Sequence, residues 1–195
     1  MFEIYKKTDA KEIENEANML KIKEKDNFDE ETKTLRLSNK RLAIHIGEFS
    51  MRNDIENVII PGSIKTIAES AFSGCVSIKT VIIESGCQII GNQAFSNCSS
   101  LVKIQIPSTV KQICSKSFSD CKSLKNIELP NLKVISNGLF YGCSELRNIN
   151  IPDSVTIIED EAFKSSGLDI ITIPDSVESI GAAAFKSCLC LTDAT

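Results

Sequence analysis

Ile106-Pro107-Ser108-Thr109-Val110-Lys111-Gln112-Ile113, then Cys114-Ser115-Lys116-Ser117-Phe118-Ser119-Asp120-Cys121, then Lys122-Ser123-Leu124-Lys125-Asn126-Ile127-Glu128, is one copy of a unit that recurs along the chain. All five prolines share its register: Pro61, Pro107, Pro130, Pro152 and Pro174. Seven of the nine phenylalanines keep the same beat: Phe49, Phe72, Phe95, Phe118, Phe140, Phe163 and Phe185. Aligned on these anchors, repeats begin at Ile60, Ile83, Ile106, Leu129, Ile151 and Ile173. A degenerate copy, 37–59, precedes them, with Leu37, Ile44, Phe49, Ile55 and Val58 in the apolar slots and Arg52 where the others place Cys or Ser.

Each unit carries Leu-x-x-Ile-x-Ile, as in Leu101, Ile104 and Ile106, or Leu146, Ile149 and Ile151. Its end alternates with period two, the signature of a short strand with one face buried. The proline that follows lacks an N–H and stops the pairing. The rest of the unit, with apolar residues at its fifth, eighth and thirteenth positions, must cross the interior and return, with a short helical turn expected around Ala-Phe. A unit of 22–23 residues cannot bury its own apolar face and must stack on neighbours. The expected architecture is therefore an α/β repeat solenoid: a leucine-rich-repeat stack with one parallel β-sheet on the concave side, occupying residues 34–195.

Residues 1–33 differ in character, with seven Lys, ten Asp plus Glu, and neither Pro nor Gly. Ile13, Ala17 and Leu20 have the i, i+4, i+7 spacing of an amphipathic helix. The expectation is a charged N-terminal segment that caps the first repeat, with Lys21–Lys25 a solvated face.

The order Ile-Pro-x-Ser-Val-x-x-Ile-x-x-x-Ala-Phe-x-x-Cys-x-x-Leu resembles the BspA-like leucine-rich repeat family. Ile173-Pro174-Asp175-Ser176-Val177, with Ile180, Ala184-Phe185, Cys188 and Leu191, carries the resemblance most fully, and it extends over 37–195. It implies protein–protein contact, often adhesion when the repeats are displayed on a surface, and it carries over no catalytic residue. Departures from the pattern are Glu84 and Cys87 in the second full repeat, and one-residue deletions near Asn131-Leu132 and Ser165-Ser166-Gly167.

The chain is 195 residues long with net charge −4 and a pI near 5.2, which argues against broad nucleic-acid binding. No stretch approaches the roughly 20 apolar residues of a membrane-spanning helix, and Met1-Phe2-Glu3-Ile4-Tyr5-Lys6-Lys7 does not read as a signal peptide. Cytoplasmic residence is the expectation, with the nucleus, or the cell surface by a route without a signal peptide, as alternatives. Five of the eight cysteines, Cys75, Cys98, Cys121, Cys143 and Cys188, follow the repeat phenylalanine by three residues and should form a ladder of small buried side chains. Disulfides between adjacent rungs and a metal site are the alternatives; structural zinc needs four convergent ligands, commonly as paired short spacings. His45 is the sole imidazole and sits in Leu42-Ala43-Ile44-His45-Ile46, where an alternating surface position explains it. Asp153 and Asp175 are expected to cap the turns after their prolines. No cofactor, metal or catalytic residue is expected.

Registering the strands yields outward columns on the sheet. One is Asn57, Thr80, Lys103, Asn126, Asn148 and Ile170; the next is Ile59, Ile82, Gln105, Glu128, Asn150 and Thr172; the third is the proline column. These are the candidate protein-binding residues, and the reading is a non-enzymatic scaffold that binds a protein partner there, or alternatively a surface-exposed adhesion module. At the C-terminus no further strand is expected after Leu191, so Val177, Ile180, Phe185, Leu189 and Leu191 are candidates for pairing two copies into a homodimer. A monomer whose last residues fold back over them is the alternative.

Overall fold

A computed structural model describes residues 25–194. The expected helix through Ile13, Ala17 and Leu20 lies outside the described residues, as does Lys21–Lys25 apart from an exposed Lys25. The repeat places one β-branched strand per unit on one flank. β2 (Thr34–Arg36), β4 (Asn57–Ile60), β6 (Thr80–Ile83) and β8 (Lys103–Gln105) pair in parallel, each residue facing its equivalent 23 positions on. Val58, Ile60, Val81, Ile83 and Ile104 point inward and are buried, while the residues between them face out. β1 (Asn27–Asp29) turns back on β2 in antiparallel register and occupies the outer edge of this sheet.

The opposite flank also carries strands, where one strand per repeat was expected. β3 (Ala43–Ile44), β5 (Thr66–Ile67), β7 (Ile89–Ile90) and β9 (Gln112–Ile113) form a second parallel sheet. β10 (Val134–Ile135), β11 (Ile157–Ile158) and β13 (Ser179–Ile180) form a third along the same flank. The ladder lapses between β9 and β10, in the interval containing the one-residue deletion near Asn131-Leu132. On the first flank the strands lapse over 126–128 and 148–150, yet Ile127 and Ile149 stay buried, so the core runs through.

The α/β label does not hold: among the described residues there is no helix. The segment around Ala-Phe is a pair of tight turns, and its hydrogen bonds explain why. Ala94, Ser96 and Cys98 donate to carbonyls three residues back (3.3, 3.0 and 3.3 Å), whereas Gln93, Phe95 and Asn97 donate across to Ser115, Ser117 and Ser119 of the next repeat (3.0, 2.9 and 2.8 Å). Alternate amides thus leave the segment, and a helix, which needs them along its own axis, cannot propagate. Two left-handed residues per repeat make the bend, among them Gln93 (φ 54°) and Asn97 (φ 59°). The equivalent positions elsewhere are filled by Ser70, Lys116, Glu161 and Ala183 at the first bend and by Met51, Asp120, Ser165 and Ser187 at the second, with Gly47, Gly138, Gly74 and Gly142 at the rest.

Inside the arch the seven repeat phenylalanines stack face to face at centroid spacings of 5.1, 5.3, 5.8, 5.9, 5.5 and 5.3 Å. These separations fall in the range that aromatic pairs favour. Phe72, Phe95, Phe118, Phe140 and Phe163 are completely buried. Where the second full repeat lacks proline, Gly86 takes φ 131° and its backbone approaches that of Gly62 so closely that a Cβ would lie 2.1 Å from the Gly62 carbonyl oxygen. Only glycine fits there.

A strand does follow Leu191: β14 (Asp193–Ala194) pairs in parallel with β12 (Ile170–Ile171). The backbone alone is enough to continue a parallel ladder, so Ala194 serves where earlier repeats place Val or Ile. The proline column also differs from expectation, since Pro61, Pro130 and Pro152 are buried rather than facing out. Nor do Asp153 and Asp175 hold the turns. The following serines do, with Ser154 Oγ donating to Leu132 O and Ser176 Oγ to Val155 O, each at 2.7 Å.

Candidate interaction surfaces

The first-sheet face presents the two outward columns in register. Lys103, Gln105, Asn126, Glu128, Asn148, Asn150, Ile170, Thr172 and Ile82 are exposed; Asn57, Ile59 and Thr80 are half-buried. The half-buried trio lies toward the β1 end, where Thr80 Oγ1 donates to Asn57 Oδ1 (2.6 Å) and Asn57 Nδ2 donates to the Thr32 carbonyl (3.0 Å). Ion pairs join successive rungs beside the columns: Lys79 with Glu56 at 2.7 Å, Lys125 with Glu145 at 3.7 Å and Arg147 with Asp169 at 3.6 Å. All are solvent-exposed, so each adds little stability and mainly fixes the sign of charge along that edge. The face offers amides, one Lys and one Glu, and no aromatic side chain, which limits the contacts that usually dominate binding energy.

The five-cysteine ladder forms as expected, and each thiol has a defined partner. The Sγ–H groups of Cys75, Cys98, Cys121, Cys143 and Cys188 donate to the carbonyls of Phe49, Phe72, Phe95, Phe118 and Phe163, at 2.9, 3.2, 3.2, 3.1 and 3.1 Å. Each thiol is thus a second donor to a carbonyl of the preceding rung that already accepts a backbone N–H. All eight cysteines are free. Burial pushes the Cys75 thiol up to about 11 and raises those of Cys98, Cys121 and Cys143 as well. Held protonated at neutral pH, these sulfurs are poor nucleophiles and poor metal ligands. Among the described residues no three His, Cys, Asp or Glu side chains converge as metal ligation requires. His45 faces out, and its backbone N–H donates to Glu48 Oε2 at 2.9 Å.

At the far end, Val177, Phe185 and Leu191 are half-buried, while Ile180 and Leu189 are 51% and 92% exposed. At the near end Leu42, Ile46 and Met51 are exposed, residues the sequence pattern did not single out.

The second flank was not foreseen as a surface at all. Its outward residues run down the rungs as Thr66, Ile89, Gln112, Val134, Ile157 and Ser179. Two open recesses adjoin there. One, of about 270 Å³, is lined by Lys111, Gln112, Lys133, Val134, Ser136 and Glu159. Its neighbour, of about 350 Å³, shares Glu159 and is lined by Asn137, Ile157, Ile158, Asp160, Ser179 and Gly181. Glu159 Oε2 accepts from the Asn137 N–H at 2.7 Å, and Asp160 Oδ1 accepts from the Ala182 N–H at 2.6 Å, which fixes both carboxylates. Lys65, Lys111 and Lys133, each just before the two-residue strand of its rung, were the available signal.

The sequence pattern of the family described as BspA type leucine rich repeat region matches residues 3–102 and 67–192, in six copies. Solved structures are similar to the chain. A leucine rich cell surface protein from Faecalibacterium prausnitzii A2-165 is 30% identical, with a TM-score of 0.73 over 87% of this chain and 52% of that one. A leucine rich repeat protein of T. pallidum is 29% identical, with a TM-score of 0.77 over 82% of this chain and 78% of that one. A leucine-rich repeat protein from Bacteroides ovatus is 25% identical, with a TM-score of 0.67 over 83% and 54%. The chain thus spans about half the length of the Faecalibacterium and Bacteroides proteins. No functionally curated protein matches it.

Proposed function

This chain belongs to the BspA type leucine rich repeat family, and from that premise we propose that it is a non-enzymatic protein-interaction module displayed at a cell surface. The observation that carries the reading is the 30% identity, over 87% of the chain, to a protein described as a leucine rich cell surface protein. The family's repeats serve as interaction or surface modules, and a rigid stack with two outward flanks suits contact better than chemistry. On the first-sheet flank, Lys103, Gln105, Asn126, Glu128, Asn148 and Asn150 would meet a partner. Among the described residues no helix is long and apolar enough to cross a membrane, so attachment would rest on other segments or on association.

Labelling intact source cells with a membrane-impermeant biotin reagent tests the reading. Labelling before lysis supports it, and labelling only after lysis overturns display. An intracellular scaffold is the second reading, favoured by one observation: all eight cysteines are free, as a reducing compartment would keep them. Thiol titration of protein purified from its source, native and then denatured, separates the two. Eight thiols after denaturation would favour the scaffold, whereas disulfides would exclude a permanently reducing location.

A further inference from the structure

We propose that the second flank is a binding groove for an extended peptide segment of a partner protein, one that carries acidic residues at one end, aliphatic residues in the middle and basic residues at the other. The inference rests on the protein-interaction reading above and adds a second site, on the flank opposite the first-sheet face. The two adjoining recesses, about 270 and 350 Å³, form one trough that runs across the strands from the Lys111 rung to the Ser179 rung. Its floor is apolar in the middle, with Val134 half-buried and Ile157 39% exposed, between Gln112 and Ser179. Ile157 sits between Val134 and Ser179 on neighbouring rungs and still leaves 39% of its surface open, apolar area that a partner could cover.

Charge along the trough is graded. Lys111 and Lys133 stand at one end, both exposed, and among the described residues neither is in an ion pair. Glu159, which lines both recesses, and Asp160, both held by backbone N–H groups, follow on the next rung, with exposed Glu178 one rung beyond them. A segment uniformly of one sign would be attracted at one end and repelled at the other. A bipolar segment satisfies both, and complementarity of that kind fixes register and excludes wrong partners.

Size chooses the occupant. Three steps between four rungs, at about 4.8 Å each, make the trough roughly 14 Å long. That matches four or five residues of extended chain at about 3.3 Å each. Even at equal width, a patch of that length covers on the order of 200 Å², far below the ~800 Å² per side that a specific globular interface or a stable dimer buries. A folded partner would have to reach well beyond it, whereas an extended segment fills it.

The test selects binders from a phage-displayed library of random dodecapeptides on the full chain, then measures the selected peptides by fluorescence anisotropy. The expected winners carry acidic, aliphatic and basic residues in sequence. Their affinity should fall at least tenfold with Lys111→Glu/Lys133→Glu and with Ile157→Asp, all outward positions whose variants should melt like the wild type. Replacing the peptide's acidic end by lysine should restore binding to the double variant. Lys122→Glu, an exposed charge reversal outside both the columns and the groove, should leave affinity unchanged. Winners that are uniformly charged, or that bind the groove variants as well as the wild type, overturn the groove. Winners lost only with Glu128→Lys and Gln105→Ala overturn it too, while leaving the protein-interaction reading intact. No winner at all overturns the groove, and display is judged separately by labelling of intact cells.

Discussion

The two ends of the phenylalanine stack are finished differently. At the near end the ring of Phe49 has Phe72 on one side and the Arg41 guanidinium 5.8 Å from its centroid. Arg41 is itself gripped by the carboxylates of Asp26 and Glu48. Phe49 is only 7% exposed although it is the last ring of the series. At the far end Phe185 stacks on Phe163 alone, is half-buried, and lies beside the exposed Ile180 and Leu189. The near end also has β1 across the edge of its first sheet. A ring stack can therefore be closed without another ring: a planar cation over the face, neutralised from behind, replaces the next aromatic.

The largest expected effect sharpens this contrast from the middle. Phe118→Ala removes a ring stacked on both sides and should cost roughly 3–5 kcal/mol in denaturant unfolding. Phe49→Ala should cost less, because one of its neighbours is a side chain that can relax toward the vacated space. Phe185→Ala should cost least of the three. Equal losses at all positions would break the distinction between interior and ends.

The cap is probed by Arg41→Ala, which removes the cation over Phe49 and leaves Asp26 and Glu48 without their shared partner. A loss of about 1–2 kcal/mol is expected from the cation–π contact and the charge-assisted hydrogen bonds together. Arg41→Lys should recover only part, since an ammonium cannot bridge two carboxylates with a planar fork. If Arg41→Ala leaves the melting temperature unchanged, Phe49 is protected by something else.

The buried thiols of the ladder give the stack a pH dependence. Below pH 9 the Cys75 thiol is neutral in the folded and unfolded chain alike, and its contribution is fully present. As pH climbs, the unfolded chain loses the proton first, because the folded thiol holds it to about 11. Stability therefore falls between about pH 9 and 11, and the other buried ladder thiols, shifted in the same direction, add to the slope. Melting temperatures across that interval check it. Replacing Cys98 and Cys121 by Ala should flatten the curve while lowering its starting value.

The smallest effect has the opposite sign. Ala183 adopts φ 56° and is exposed. Left-handed backbone costs a residue with a Cβ about 1–2 kcal/mol, partly offset by the flexibility glycine adds to the unfolded chain. Ala183→Gly should stabilise by about 0.5 kcal/mol, measurable as a small rise in the denaturant midpoint.

The repeat itself was legible because two of its markers, proline and phenylalanine, occur almost nowhere else in the chain. The strand ending in Leu-x-x-Ile-x-Ile was legible from its alternation, and the inward and outward residues of that flank followed. The second flank was not. Its strands are two residues long, too short to show a period, and at Ile89-Ile90, Val134-Ile135 and Ile157-Ile158 the outward residue is as apolar as the inward one. The turns around Ala-Phe were misread for a different reason. Their left-handed positions are filled by Ser, Gln, Lys, Glu, Ala, Met, Asn and Asp about as readily as by Gly, because hydrogen bonds from the neighbouring rung, rather than local preference, hold the conformation. Two of the three candidate columns face out as registered, whereas Pro61, Pro130 and Pro152 of the third are buried, and composition could not reveal the recesses on the opposite flank.

The inter-rung bonds of the arch bear on how this chain would behave under load. Successive repeats are tied by alternate amides of the arch and, except where the ladders lapse in the middle of the stack, by short ladders on the flanks, all directed along the stacking axis. Tension applied between the two ends pulls on these ties together, one rung boundary at a time, instead of shearing a long strand out of a sheet. A repeat that lets go exchanges a thickness of about 4.8 Å for some 22 residues of extended chain, roughly 75 Å. Stretched in an optical trap, the molecule should lengthen in a staircase of equal steps at modest force, paying out slack where a rigid tether would snap.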